Sequence, residues 1–145
     1  MIYLLFESFW LYILLVIWIG GIFYLSSNKG SVSRTFPYFV PILRLLLPRA
    51  GAKPLERYYL VVRKLCHFFG YGILALLASG VFYNSSLLSL ANFWYLYSFA
   101  IVIVVASLDE IRQCFYKDRV GSLSDIALDC LGGLAMISLI WIFTS

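Results

Sequence analysis

At 145 residues, 63% hydrophobic and only 12% charged, the chain carries more apolar surface than one water-soluble core of its size can hide, which excludes an ordinary soluble domain and makes lipid part of its solvent. The formal net charge of +4 comes with no segment of nucleic-acid-binding type, so the basic excess reads as contact with membrane lipids and as a topology signal, with no nucleic acid among the partners. Cys66, Cys114 and Cys130 stand in no CxxC or zinc-ribbon spacing and read as small apolar residues.

The first element is a predicted membrane helix over about 3–25. Residues 8–28 carry no charge, and about 20 apolar residues suffice to cross a bilayer. The preceding residues hold Glu7 but no Lys or Arg, and no A-x-A site follows, so the segment is expected to be retained rather than cleaved as a signal peptide. Trp10, Tyr12 and Trp18 are expected on a lipid-facing aromatic surface. Gly20 and Gly21 fit either a close helix crossing or local flexibility.

Residues 29–64 hold eight of the eleven Lys and Arg. Within them, FPYFVPILRLLLPRA (36–50) is apolar but interrupted by Pro37, Pro41 and Pro48. Proline at that density disfavours a regular spanning helix, and with Arg44 and Arg49 the run reads as a segment lying on the membrane surface. From Phe68 to Leu108 there is no charged residue for 41 positions. NSSLLSLAN (84–92) supplies turn residues near the middle, so this region is expected to fold as a helical hairpin, about 61–82 and 91–111.

A polar connection over 112–121 precedes the last predicted helix, about 123–143. Ser122 with Asp125 three positions on resembles a capping box with Asp in the place of Glu. The expected fold is therefore all-α: a single domain, 1–145, forming a polytopic bundle of four transmembrane helices with an interfacial segment between helices 1 and 2. The 1–2 and 3–4 loops carry every Lys and Arg. By the positive-inside rule they are expected to be cytoplasmic in a multi-pass cell-membrane protein, with both termini outside.

This layout brings scattered polar residues to one membrane face. Ser26 and Ser27 end helix 1, Lys64 and His67 open helix 2, Asp109 and Glu110 close helix 3, and Arg119, Ser122 and Asp125 lie at the entry to helix 4. The stretch 107–133 alone holds five of the seven acids. Lys64, His67 and Tyr71 share a helix face, as do Asp109, Arg112 and Gln113, and as do Asp125 and Asp129. Asp129 lies deeper, in an apolar run, where an ionisable group needs a partner. Gly132 and Gly133 read as a close-packing notch.

Three chemistries are open to the cluster. One histidine and no ligand motif argue against a metal, and no cofactor is expected. His67 with Asp109, Glu110 or Asp125 has the acid and base of proton-transfer catalysis. Lys64, Arg112, Arg119 and the helix 4 N-terminus at Ser122 have the donors of an anion site, with His67, Tyr71, Gln113 and Asp129 beside them. The bland alternative is that the cluster only joins four helices.

RKLCHFFGYGIL (63–74), SLDEIRQCF (107–115), DRVGSLSDIALDCLGG (118–133) and YLSS (24–27) together resemble the VanZ-like family of small bacterial membrane proteins. The resemblance implies a polytopic helical protein of the cell envelope. One founding member of that family is linked to low-level resistance to the glycopeptide antibiotic teicoplanin, and no activity is established for the family as a whole. It places any site at Lys64, His67, Phe68, Tyr71, Asp109, Glu110, Gln113, Arg119, Ser122, Asp125 and Gly132. Three departures stand out: Gly70 where relatives have glutamate, Asp129 where asparagine is usual, and Asn28 where glutamine is usual. The function expected first is binding of an anionic membrane lipid or a lipid-linked envelope intermediate. An enzyme acting on such a substrate through His67 and the carboxylates, or an accessory membrane protein, stands beside it.

Overall fold

The computed structural model describes residues 2–116 and 121–144, with side chains from residue 9 onward. The described residues are helical, with no strand among them: α1 (Ile2–Leu25), a 3₁₀ turn (Asn28–Gly30), α2 (Val32–Leu46), α3 (Ala52–Tyr83), α4 (Leu88–Asn92), α5 (Trp94–Gln113) and α6 (Leu123–Thr144). Three of them, α3, α5 and α6, are long and apolar enough to cross a membrane. The apolar stretch described in α1, Phe9–Leu25, is shorter.

α3 is the hub, packing on α6, α5, α1 and α2. Lipid gives helices no hydrophobic reason to associate, so close van der Waals approach must do it, and small residues permit that approach. Gly72, Ala75 and Ala78 of α3, Ala106 of α5, and Gly132 and Gly133 of α6 are all buried. A Cβ on Gly132 would collide with the backbone carbonyl of Phe68, and one on Gly133 would come within 2.8 Å of Val102. The predicted notch is thus two-sided, seating α6 against α3 and α5 at once. At the opposite end from the polar cluster, Trp141 meets Tyr95 edge to face at 4.8 Å and lies beside Trp94. The outer surface is apolar: Val16 and Ile142 are 69% and 72% exposed, as suits side chains solvated by lipid.

Several expectations are corrected. α3 starts at Ala52 rather than near 61, so Lys53, Glu56 and Arg57 are helical. Gly51 caps it in an extended conformation. Pro54 falls in the first turn, where its missing N–H is not needed, and Leu55 and Tyr59 pack on Leu43 of α2. The segment with Pro37 and Pro41, read only as too broken to span, is a helix; it ends at Leu46, with Leu47 as its non-helical cap just before Pro48, as a residue preceding proline favours. At 15 residues it is too short to span. It buries Leu43 while leaving Tyr38 and Leu45 exposed. The hairpin turn contains the short helix α4, and α5 starts at Trp94 rather than 91. Trp10 and Tyr12 are exposed as expected, but Trp18 turns inward and donates from Nε1 to the Gly70 carbonyl at 2.9 Å. A Cβ on Gly20 or Gly21 would meet nothing within 4 Å, so neither makes a close crossing.

Candidate functional site

The polar residues of α1, α5 and α6 form one hydrogen-bonded set. Helical spacing puts Arg112 and Gln113 on the same face as Asp109, which is fully buried. Asp109 Oδ1 accepts from Ser26 Oγ and from Arg112 Nη2 at 3.2 Å, and Oδ2 accepts from Gln113 Nε2 at 3.0 Å. The same Gln113 nitrogen donates to Glu110 Oε1 at 3.0 Å. Arg112 Nη2 also donates to Ser26 Oγ at 2.7 Å and to the Phe23 carbonyl, one of the orphan acceptors in the last turn of α1. Its guanidinium lies 4.9 Å from the centre of the Phe23 ring.

Glu110 carries the set on to α6. Its Oε2 accepts from the Ser122 backbone N–H at 2.7 Å, while Ser122 Oγ accepts from the Ser124 N–H at 3.2 Å. Ser122 is therefore the helix cap that its sequence position suggests. The reciprocal acceptor is Glu110 from the neighbouring helix, not Asp125.

Asp125 and Asp129 face α3 instead. α3 and α6 run parallel, and their polar residues pair in order along them. Lys64 Nζ lies 3.7 Å from Asp125 Oδ1, with both side chains substantially exposed, so the pair contributes at most about 1 kcal/mol. One turn deeper, His67 Nδ1 lies 3.4 Å from Oδ1 of the fully buried Asp129. The next contact is the Phe68 carbonyl against Gly132. Tyr71 follows His67 with its ring nearly parallel, centroids 6.5 Å apart. The Tyr71 hydroxyl and both Asp129 oxygens are buried without a hydrogen bond.

A buried hydroxyl without a partner is a cost that a phenylalanine lacks. Tyr71→Phe is expected to leave thermal stability in detergent unchanged or to raise it by up to about 1 kcal/mol. A clear loss of stability would show that the hydroxyl has a partner in the folded protein.

His67, Ser26 and Tyr71 also line a cleft of about 580 Å³ between α1, α2 and α3. Arg63 stands at its outer end and donates from Nη1 to the Gly30 carbonyl at 2.5 Å, which uses one of its five N–H groups. Trp18, Gly70 and Ile73 line the deeper end. The sequence reading missed this second stripe of α3. Tyr59, Arg63, Cys66, Gly70 and Ile73 recur at helical spacing beside the Lys64–His67–Tyr71 line, but a stripe of that kind does not announce an empty space next to it.

Of the residues expected at a site, Asp109, Glu110, Arg112, Gln113 and Ser122 meet in the first set, and Lys64, His67, Tyr71, Asp125 and Asp129 in the second. Arg119 lies outside the described residues. Among the described residues no group of three or more His, Cys, Asp or Glu is placed to hold a metal ion. A family model described as VanZ/LLP1 matches residues 9–144. No curated protein and no solved structure matches the chain.

Proposed function

The chain belongs to the VanZ/LLP1 family, and on that footing we propose that it is a multi-pass membrane protein that binds an anionic membrane lipid or a lipid-linked envelope intermediate in the cleft between α1, α2 and α3. In this reading α1, α3, α5 and α6 cross the bilayer and α2 lies at its surface. The connections that carry the basic residues are cytoplasmic and both termini are outside.

The observation that carries the reading is the cleft itself. Its volume of about 580 Å³ falls within the range of ligand pockets, roughly 300–1,000 Å³. Its lining is largely apolar, with Arg63, His67 and the hydroxyl-bearing Ser26, Thr35, Tyr59 and Tyr71 as its polar residues, of which Arg63 and His67 would orient a headgroup. It also has a direction. Arg63 and the surface helix α2 mark the interfacial end, and the walls turn apolar toward Ile73. A molecule with one anionic end and one hydrocarbon end matches that gradient.

The hydrogen-bonded set and the ion-paired set behind the cleft hold its walls in place. Arg112 fixes the end of α1, and the paired residues of α3 and α6 fix the other wall. Arg63→Glu is expected to reduce the anionic lipid that co-purifies with the protein at least tenfold, read by native mass spectrometry, while the helical content stays unchanged. Equal lipid occupancy in the wild type and the variant would reject the proposal.

A second reading on the same cleft is favoured by one observation: His67 lines it with a carboxylate, Asp129, against Nδ1. An imidazole oriented in this way is equipped for proton transfer to or from a bound lipid headgroup. His67→Ala with lipid binding intact and turnover lost would favour the enzyme over the binding protein.

A further inference from the structure

Glycine is costly in a helix interior, so each one there needs a reason. No glycine among the described residues has a positive φ, so backbone conformation is not the reason here. For Gly72, Gly80, Gly132 and Gly133 the reason is packing, because a Cβ on any of them would sit against or inside a neighbouring helix. Gly20 and Gly21 of α1 and Gly70 of α3 have no such neighbour: a Cβ on any of them would meet nothing within 4 Å. Of these, Gly21 and Gly70 line the cleft, one on each of its two long walls.

We propose that Gly21 and Gly70 are the chain-recognising residues of the cleft, keeping open the space in which the hydrocarbon chain of the bound lipid lies. This rests on the lipid reading above and deepens it, because it assigns the apolar half of the ligand to named residues. The placement suits a chain. From Arg63 to Ile73 α3 advances about 15 Å, roughly half the hydrocarbon thickness of a bilayer. Gly70 therefore lies on the apolar side of Arg63, where the tail of a lipid anchored by its headgroup would pass. The Trp18 indole, tied to the Gly70 carbonyl, joins the two walls at that depth without filling the space between them.

The cleft walls differ from the outer surface in a testable way. Gly20, next in sequence to Gly21, is equally unobstructed but does not line the cleft. A leucine at any of the three positions gains helix propensity, and only at two of them does it occupy the cleft.

The experiment titrates the delipidated full-length protein in detergent with phosphatidylglycerol and reads occupancy by native mass spectrometry. Gly21→Leu and Gly70→Leu are each expected to lower occupancy at least tenfold, Gly20→Leu to change it less than twofold, and none of the three to lower the melting temperature. Wild-type occupancy in Gly21→Leu and Gly70→Leu, with loss in Arg63→Glu, would overturn the assignment of the chain while leaving the headgroup reading in place. No phosphatidylglycerol bound above the Arg63→Glu level in the wild type would overturn both. If a leucine variant fails to fold, short- and long-chain phosphatidylglycerols are compared on the wild type. Tighter binding of the long chain is expected, and equal binding of the two would overturn the inference.

Discussion

Asp109→Ala is expected to destabilise the protein by about 3 kcal/mol, the lower end of the cost of removing one partner from a buried ion pair. The carboxylate is fully buried and takes three donors, from Ser26, Arg112 and Gln113. Its removal leaves those donors without their shared acceptor. The estimate stays at the lower end because the Arg112 side chain is 33% exposed and can turn toward water or headgroups. For a chain of this size the change corresponds to a fall of roughly 10 °C in melting temperature, measured in detergent. Asp109→Asn keeps an oxygen that can accept from Ser26 and should cost less. A double-mutant cycle with Ser26→Ala should show coupling of about 0.5–3 kcal/mol. Additive single losses would mean that the Ser26 bond does not join α1 to α5.

Gly132→Ala is the second large effect expected. On an exposed helix the change would stabilise by about 1 kcal/mol. Here the new methyl group runs into the Phe68 carbonyl, which is backbone and cannot rotate away. α6 must move off α3, and overpacking of this kind costs about 1–3 kcal/mol. The same displacement takes Asp129 away from His67. Gly80→Ala is the contrast: its methyl would meet only the Leu11 side chain, at 3.4 Å, and that side chain can adjust. Thermal unfolding of the two variants should therefore shift in clearly different amounts, with Gly132→Ala the lower. A melting temperature for Gly132→Ala at or above the wild type would contradict the tight α3–α6 crossing.

The long helices were legible because hydrocarbon imposes strict rules. A 41-residue run without charge must cross or leave the membrane, and its midpoint asparagine and serines mark the turn. The placing of Asp109, Glu110, Ser122, Lys64 and His67 at one end of the bundle followed from the hairpin topology, though they form two sets there, and helical spacing correctly grouped Arg112 and Gln113 with Asp109. The start of α3 was hidden because Lys53, Glu56 and Arg57 look like loop composition; the packing of Leu55 and Tyr59 on α2 extends the helix through them. The acceptor for the Ser122 N–H was misplaced because local spacing offered Asp125, whereas Glu110 reaches it from twelve residues earlier. Trp18 could not be oriented from composition, since an aromatic ring suits lipid and a helix interface alike. The cleft had no sequence signature, because residues at helical spacing on α1 and α3 say nothing of an empty space between them.

α3 runs unbroken for 32 residues, roughly 48 Å at 1.5 Å per residue, against about 30 Å of hydrocarbon. In the proposed membrane placement the surplus forms a stiff arm beyond the bilayer, with α2 packed along it through Leu43, Leu55 and Tyr59. No proline or glycine interrupts that rod between Leu55 and Phe69. A push on the arm from outside the membrane would thus travel as a lever stroke, without a hinge to absorb it, into the wall that carries Arg63 and His67.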